Sequence, residues 1–410
     1  MLANKGETVC DLLGRLRSAR IERRTIAVES RIEMKKIPMV ILGLALAFSA
    51  RIELSAQKIK IVNGVTVVAN DKKPVRVKGQ PSQITLVEEM SFGGRSNPDE
   101  SLSQVTFFAV DGEGRVVALD FKEQRIKLYD KTGQFVRQIG KSGQGPGELG
   151  MPTGVQVLAD GTIAVEDAGN RRLAFFKPSG EFIKNISMAG TFGLVNVLLD
   201  GKGNAIGREM GLSEGNAKMF YEIKKFDADF KPLFTLDKIE FPIPVPGSST
   251  RINILGMISS YQIDPAGNIY YGRNVDYEIK VYNPEGRHFR TIQKEYERVK
   301  VTQADIEEML EQIPNTVPGA NIKDMISFPD YFPPYQSFFL DDQGRLYVRT
   351  FTKGKAQGEY AIDVFDPEGK FIAQFITKSD LRIWKAGRAY GIEETGEGYQ
   401  VIKRYAVITE

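Results

Sequence analysis

A unit of four short apolar runs separated by tight turns recurs along most of this chain. Its clearest copy spans residues 107–147, where the runs 116–119, 126–129 and 135–139 alternate with turns rich in Asp and Gly. Runs of this length, enriched in β-branched and aromatic residues, predict the strands of an antiparallel meander. Because a lone four-stranded meander leaves one apolar face uncovered, the chain needs further copies to bury it.

The glycine of the first turn marks each copy of the unit. It stands at Gly114, Gly161, Gly203, Gly267, Gly344 and Gly387. Six units predict an all-β fold, a six-bladed β-propeller of four-stranded antiparallel blades over residues 83–410. The sixth unit has only three strands before Glu410, so the isolated strand 83–92 is predicted to complete the last blade. Closing the ring in this way removes open sheet edges.

Three segments precede the propeller. Residues 1–33 are rich in Arg and lack a strand pattern, which indicates an N-terminal extension or a mis-assigned start, with Met34 as the true one. Residues 34–56 combine two lysines with an apolar run of signal-peptide length, too short for a comfortable membrane span. An uncleaved anchor is the alternative, and no Cys follows the run to make a lipoprotein. Residues 57–82 are predicted to form a hairpin, turning at Asn63-Gly64, and a linker.

Composition narrows the classes of function. Beyond residue 56 the chain holds 45 Lys and Arg against 46 Asp and Glu, so charge gives no case for a nucleic acid partner. Cys10 is the only cysteine and His288 the only histidine. The chain therefore has too few cysteines for a disulfide framework and too few histidines for a multi-His metal site, and a Ser-His-Asp triad is disfavoured. We expect a monomer without a membrane span in the mature chain.

The long connections all belong to one geometric class. With the strands of a blade lettered A to D from the axis outward, A–B and C–D turns lie on one face, and B–C and D–A loops lie on the other. The long insertions are D–A loops at 142–153, 241–259 and 301–336, and B–C loops at 209–219 and 350–358. All are predicted to project from the same face, and loops of such length are usually functional or disordered.

The largest insertion, 303–336, is predicted to contain a short helix. Thr302 can act as the N-cap of a helix over 303–311, with acidic residues in its first turn. An aromatic, proline-rich stretch follows, in which Tyr331 and Tyr335 are the predicted contacts to a ligand. We interpret this insertion as a lid over one rim of the ring; sideways packing on a neighbouring blade is the alternative.

The blade motifs resemble those of NHL-repeat propellers, especially the secreted bacterial proteins described as six-bladed β-propellers. The matching segments are 120–126, 139–148, 167–173 and 390–405. The resemblance covers about residues 58–409 and implies an architecture and an extracytoplasmic location rather than a reaction. In such blades the Asp near the end of strand B commonly pairs with a following Arg. This implies partners for Asp120 and Asp167 among Arg125, Arg171 and Arg172.

Polar residues at the strand-B ends form a candidate ligand site at the channel mouth. They are Asp120, Asp167, Arg208, Glu209, Arg273, Arg349 and Glu393. If the carboxylates converge, they could hold Ca²⁺, a hard cation that prefers oxygen ligands. The favoured alternative is that Asp120 and Asp167 serve the scaffold, in which case no cofactor is needed.

These features favour an extracytoplasmic binding module, periplasmic or secreted, over an enzyme. Its long loops would present one face of the propeller to a protein, peptide or glycan. Two alternatives stay open: a Ca²⁺-assisted hydrolase or lyase at the channel mouth, and a structural subunit in envelope assembly.

Overall fold

The computed structural model describes residues 58–94, 99–191, 193–213, 218–243, 249–313, 321–396 and 398–410. The predicted N-terminal extension and signal peptide lie outside these residues. Within the described ranges, no helix has both the length and the apolar composition needed to cross a membrane.

Nearly all of the regular secondary structure in the described part of the chain is strand. Before the first blade come β1 (Lys58–Val62), β2 (Val65–Asn70) and β3 (Ile84–Phe92). Blade 1 consists of β4 (Val105–Val110), β5 (Val116–Asp120), β6 (Arg125–Tyr129) and β7 (Phe135–Ile139). Two short strands follow, β8 (Lys141–Ser142) and β9 (Glu148–Leu149). Blade 2 consists of β10 (Pro152–Val157), β11 (Ile163–Asp167), β12 (Arg172–Phe176) and β13 (Phe182–Ser187). Blade 3 consists of β14 (Leu194–Leu199), β15 (Ala205–Leu212), β16 (Lys218–Phe226) and β17 (Pro232–Pro242).

The second half of the ring follows the same pattern, with a larger insertion. The short strand β18 (Ile252–Asn253) precedes blade 4, which consists of β19 (Ser259–Ile263), β20 (Ile269–Arg273), β21 (Glu278–Tyr282) and β22 (His288–Lys294). The insertion then holds α1 (Gln303–Glu311) and β23 (Ile326–Ser327). Blade 5 consists of β24 (Tyr335–Leu340), β25 (Leu346–Lys353), β26 (Tyr360–Phe365) and β27 (Phe371–Thr377). Blade 6 begins with β28 (Asp380–Lys385), β29 (Arg388–Glu394) and β30 (Gln400–Thr409).

Tight turns with left-handed residues produce the predicted meanders. All six glycines that mark the A–B turns have a positive φ, between 70° and 86°. A side chain is strained in that region, which explains why glycine recurs there. Four C–D turns also contain a left-handed glycine. In blade 3 Phe230 takes that place with φ 59°, and its buried ring packs against Phe226 at 6.1 Å.

The ring closes through the predicted N-terminal strand. β3 pairs antiparallel with β30, from Ile84 opposite Thr409 to Phe92 opposite Ile402. Blade 6 therefore contains three strands from the end of the chain and one from its beginning. The predicted six-bladed propeller and its closure by strand 83–92 are both confirmed.

Six hydrophobic clusters fill the six spaces between neighbouring blades. Each cluster takes buried side chains from two adjacent sheets, as in the space between blades 5 and 6, where Tyr347 stacks on Trp384 at 3.8 Å. Each sheet is consequently covered on both faces by its neighbours. Trp384 is only 4% exposed.

The N-terminal segment forms a strap along the outer edges of blades 4 to 6. The predicted hairpin of β1 and β2 turns at Asn63-Gly64, both left-handed, and β2 adds in parallel to β22, which makes blade 4 six-stranded. The Val75 amide then donates to the Phe371 carbonyl of blade 5 at 2.9 Å, and the segment continues into β3.

Asn70 fastens this strap to two blades. Its side chain is 3% exposed; Nδ2 donates to the carbonyls of Gln293 and Gly369, both at 2.9 Å, and Oδ1 accepts from the Phe371 amide at 2.8 Å. Backbone groups of blades 4 and 5 thus depend on one amide side chain.

We expect Asn70→Ala to lower the free energy of unfolding by about 3 kcal/mol, because it leaves buried backbone groups without partners. Urea denaturation followed by tryptophan fluorescence measures the change. Lys60→Ala, on the exposed outer strand of the same hairpin, is the matched control and should stay within about 0.5 kcal/mol of the unaltered protein. Equal stability of the two variants would contradict a fastening role for Asn70.

Candidate functional site

The two largest insertions fold together into a single cap on the loop-bearing face. We define the cap as the described residues of 249–258 and 299–334. Its two parts join where β18 pairs in parallel with β23. Leu255, Val301 and Phe332 form a small buried cluster between them, and α1 contributes Ile306 and Met309 to it. The cap therefore has a hydrophobic core of its own, separate from the six interblade cores.

The predicted helix is present with the predicted cap residue. The Thr302 Oγ1 accepts from the Asp305 amide at 3.3 Å, and the Asp305 carboxylate accepts from the Thr302 amide at 2.9 Å, so the two residues form a capping box. Lys353 of blade 5 reaches the same carboxylate at 2.5 Å. Phe332 stacks on Phe351 at 4.5 Å. The insertion thus rests on the B–C loop of blade 5 as well as on the insertion before blade 4.

The two tyrosines of the insertion have different environments. Tyr331 is 37% exposed, and the Arg298 guanidinium lies over its ring at 3.9 Å. Tyr335 is fully buried between blades 4 and 5, where its hydroxyl donates to the Glu278 carbonyl at 3.1 Å. The prediction that Tyr335 contacts a ligand from the lid is therefore wrong: it is the first residue of β24 and part of the core.

Asp120 and Asp167 do the same structural task in successive blades. Each is fully buried at the end of strand B. Asp120 accepts from the amides of Ser103 at 2.6 Å and Gln104 at 3.3 Å, and Asp167 accepts from those of Gly150 at 2.8 Å and Met151 at 3.1 Å. In both cases these amides stand 17 and 16 residues earlier, in the loop that enters strand A. Both carboxylates thus anchor their own blade.

Basic partners of the two aspartates differ. Arg172 Nε lies 3.1 Å from Asp167, as the resemblance implied. In blade 1 the corresponding Arg125 instead donates to Gln138 at 2.5 Å, and the buried Lys127 lies 3.9 Å from Asp120. The implied pairing is therefore confirmed for Asp167 and wrong for Asp120.

The other predicted site residues are spread over separate places on the ring. Glu209 pairs with Lys224 at 2.7 Å on the two middle strands of blade 3, and Arg273 is exposed in a groove between blades 3 and 4. Arg349 donates to the Ser379 carbonyl at 2.8 Å, and burial lowers the pKa of its guanidinium.

Glu393 is joined to Arg349 through Ser379, whose hydroxyl donates to the Glu393 carboxylate at 2.5 Å. Burial disfavours the charged form of Glu393, but bonds from Ser379, Tyr405 and Lys403 outweigh it and lower the pKa. Among the described residues, no group of three Asp, Glu, His or Cys side chains is arranged to hold a metal ion.

A cavity of about 220 Å³ lies on the axis of the ring. The innermost strands of blades 1 to 5 line it with Phe107, Gln156, Leu198, Ser260, Gln262 and Ser337, among others. Of the seven predicted site residues, Arg208 lines this cavity. Its Nη2 donates to the carbonyl and hydroxyl of Ser259, at 3.1 and 3.2 Å, and the guanidinium lies over the Tyr221 ring at 4.6 Å.

A bulge in β14 shapes one wall of the cavity, and its amides bind the buried carboxyl group of Glu166. The register between β14 and β15 shifts after Val195, and Asn196 has φ 56°. The freed amides of Asn196 and Val197 donate to Glu166 of blade 2, at 3.3 and 2.7 Å, and Thr153 Oγ1 lies 2.5 Å from the same carboxyl group. Glu166 is 3% exposed, and burial raises its pKa.

Sequence reasoning missed Glu166, Asn196 and Ser259. The available signal was a polar residue inside an apolar run: Glu166 in 163–167 and Asn196 in 194–199. Nothing in either run indicates that the two meet across a blade boundary, because that contact depends on the bulge.

Fold and site together define a six-bladed β-propeller with a capped face and a polar axial cavity. The family model described as a 6-bladed beta-propeller, DUF5128, matches residues 94–315, more than half of the chain. The protein belongs to this family.

Individual relatives are distant. A protein of Bacteroides fragilis assigned as exported has a structure with a TM-score of 0.53 at 14% identity, covering 84% of this chain and all of its own. The human E3 ubiquitin-protein ligase NHLRC1 is 30% identical over 81 residues, 20% of each chain. The protein brain tumor of Drosophila melanogaster is 22% identical over 131 residues, 32% of this chain and 13% of its own. The chain thus spans a fifth or less of these two relatives.

We expect Asp167→Ala to destabilise the propeller by about 3 kcal/mol or more, because the largely buried Arg172 loses its counter-ion and two loop amides lose their acceptor. Thermal unfolding measures the loss. Asp160→Ala, which removes an exposed carboxylate from the A–B turn of the same blade, should cost about 0.5 kcal/mol or less. A loss for Asp167→Ala no larger than the control would refute the anchoring role.

Glu166 should make stability depend on pH. Its folded pKa lies above its ordinary value of 4.5, so its contribution is complete below pH 4.5 and is lost as the pH rises through the raised pKa. The unfolding free energy of the unaltered protein minus that of Glu166→Gln should therefore fall as the pH rises from 4. Glu393→Gln is the control of opposite sign, since the lowered pKa of Glu393 adds stability that is lost on acidification. Urea titrations over pH 4–8 test both; a Glu166 difference that is flat or that grows with pH contradicts the assignment.

Proposed function

We propose that this protein is an extracytoplasmic binding protein that engages a protein partner through its capped face. The observation that carries the proposal is the one-sided exposure of apolar side chains in the connections. Met151, Val275 and Tyr331 are between 37% and 62% exposed, and each lies within a B–C or D–A connection. Among the described residues, no large exposed apolar side chain falls within an A–B or C–D turn.

Residue types on this face favour a protein as the partner. Tyr, Met and Arg are enriched at protein interfaces relative to other surfaces, and Tyr331 with Arg298 over its ring brings two of them together. The cap has its own buried cluster, so these side chains are held by a folded element rather than by a loose loop. Recognition by such a surface loses little conformational entropy on binding.

Three further observations support an extracytoplasmic location. Residues 34–56 have the composition of a signal peptide. The similar protein of Bacteroides fragilis is assigned as exported. Cys10 precedes this segment, so cleavage would leave a chain without cysteine, which suits an oxidising compartment.

Site-specific photocrosslinking in the producing cells tests the capped face. A photoreactive phenylalanine analogue placed at Val275 should give one defined crosslinked product that protease digests. The same analogue at Lys131, in a C–D turn on the opposite face, should give none. Adding Tyr331→Ala to the Val275 probe should weaken the product roughly tenfold or more, as expected for an interfacial aromatic anchor.

Equal crosslinking from both faces, or none from Val275, would overturn the proposal. A protease-resistant product removed by glycosidases would replace the protein partner with a glycan. Export is tested separately, by locating the full-length protein in cell fractions; retention in the cytoplasm would refute the proposed location without affecting the binding face.

A further inference from the structure

Largely buried basic side chains in this propeller usually lie beside a carboxylate. The pairs include Lys127–Glu123, Arg172–Asp167, Lys224–Glu209, Lys225–Asp200, Lys294–Asp363 and Arg345–Asp341, at distances of 2.7 to 3.1 Å. Taking a charge out of water is costly, and such pairing offsets the cost.

Arg208 departs from this pattern. Within the described part of the chain, no carboxylate oxygen lies within 4.0 Å of its guanidinium. Its Nε is buried and has no hydrogen-bond partner among those residues. Among the described residues, its acceptors are the carbonyl and hydroxyl oxygens of Ser259. A guanidinium has five donors, so this one keeps unused capacity to bind an anion.

Arg208 lies in the wall of the axial cavity. The other groups that line the cavity determine what the rest of an anionic ligand must look like. The Ser259 hydroxyl lies 3.2 Å from the guanidinium, and Ser260 also lines the cavity. Phe107 of blade 1 is 39% exposed although it lines the cavity, which leaves an aromatic face open to a ligand. Leu198 and Phe339 extend the apolar lining.

The carboxyl group of Glu166 does not neutralise Arg208. It is already held by Thr153 and by the two amides of the bulge, and its raised pKa favours the uncharged form. Tyr261 of blade 4 donates to the Asn196 carbonyl at 2.6 Å. The cavity consequently has one cationic group whose charge is not balanced by a neighbouring side chain.

We propose that the axial cavity binds a small monocarboxylate with an apolar, preferably aromatic, body. The carboxylate pairs with Arg208 and the Ser259 hydroxyl, and the body lies against Phe107. The volume of about 220 Å³ is below the usual range of about 300–1,000 Å³ for drug-sized ligands, so the ligand is a small one. This site is separate from the protein-binding face proposed above, and neither requires the other.

Isothermal titration calorimetry on the full propeller at pH 7 tests the site, with benzoate as the probe. Benzamide has nearly the same shape and no charge, and inorganic phosphate has charge and no apolar body. Benzoate should bind with a stoichiometry near one and at least about tenfold more tightly than either control compound, because only benzoate satisfies both parts of the cavity. This comparison uses the unaltered protein and does not depend on the folding of any variant.

Substitutions then locate the site. Arg208→Met removes the charge at similar length and should abolish the preference for benzoate over benzamide. Arg287→Met removes an exposed charge from a C–D turn and should leave benzoate affinity unchanged. Circular dichroism and thermal unfolding establish that both variants fold.

The proposal is overturned if benzoate does not saturate the unaltered protein, if benzamide or phosphate binds equally well, or if folded Arg208→Met binds benzoate as before. Phe107→Ala supplies a second test of the apolar contact, since it should weaken benzoate and benzamide by the same factor, roughly threefold to thirtyfold for a lost aromatic contact. Unchanged affinity in this variant would contradict the assigned orientation.

Discussion

The ring can exist only if its two ends pair, and the antiparallel contact between β3 and β30 provides that pairing. Every hydrophobic cluster of the propeller is shared by two adjacent blades. Without β3, blade 6 would lack its outer strand, and Phe92 and Ile84 would leave the clusters on its two sides. Because the strap before β3 also contacts blades 4 and 5, closure ties the three N-terminal strands to half of the ring. Residues 58–92 therefore stabilise the last three blades of the ring.

Features governed by local backbone chemistry were predictable from the sequence. A turn that needs a positive φ selects glycine, so the six A–B turns could be located residue by residue. Thr302 and Asp305 form a capping box within four residues, and the helix they begin was predicted with its bounds, 303–311. The closing strand followed from counting strands, since a sixth blade with three of them needs a fourth.

Features that depend on contacts distant in sequence were not predictable. Tyr335 stands three residues before Phe338, and in a regular strand residues at that spacing point to opposite faces. In the sequence Tyr335 therefore looks like part of an exposed aromatic loop. A bulge between Tyr335 and Ser337 restores the common facing, so that both rings enter the same core. The hairpin at 58–70 was recognised by its turn, but nothing in its sequence names β22 as its partner. Likewise, a carboxylate at the end of strand B can point toward the channel or back toward the loop that enters strand A. For Asp120 and Asp167, amides 17 and 16 residues earlier hold the carboxylate toward that loop.

The cap and the axial cavity share residues through a short stretch of chain. Ser259, which accepts two bonds from Arg208, directly follows the cap residue Ile258. Tyr221, whose ring lies under the same guanidinium, donates its hydroxyl to the carbonyl of Met257 in the cap. A carboxylate bound to the unused donors of Arg208 and to the Ser259 hydroxyl would therefore lie directly beside a segment that is fixed at its other end in the cap cluster. Coupling between two binding sites is reciprocal. A partner that changes carboxylate affinity by shifting residues 257–259 would therefore have its own affinity changed by the carboxylate, by the same factor.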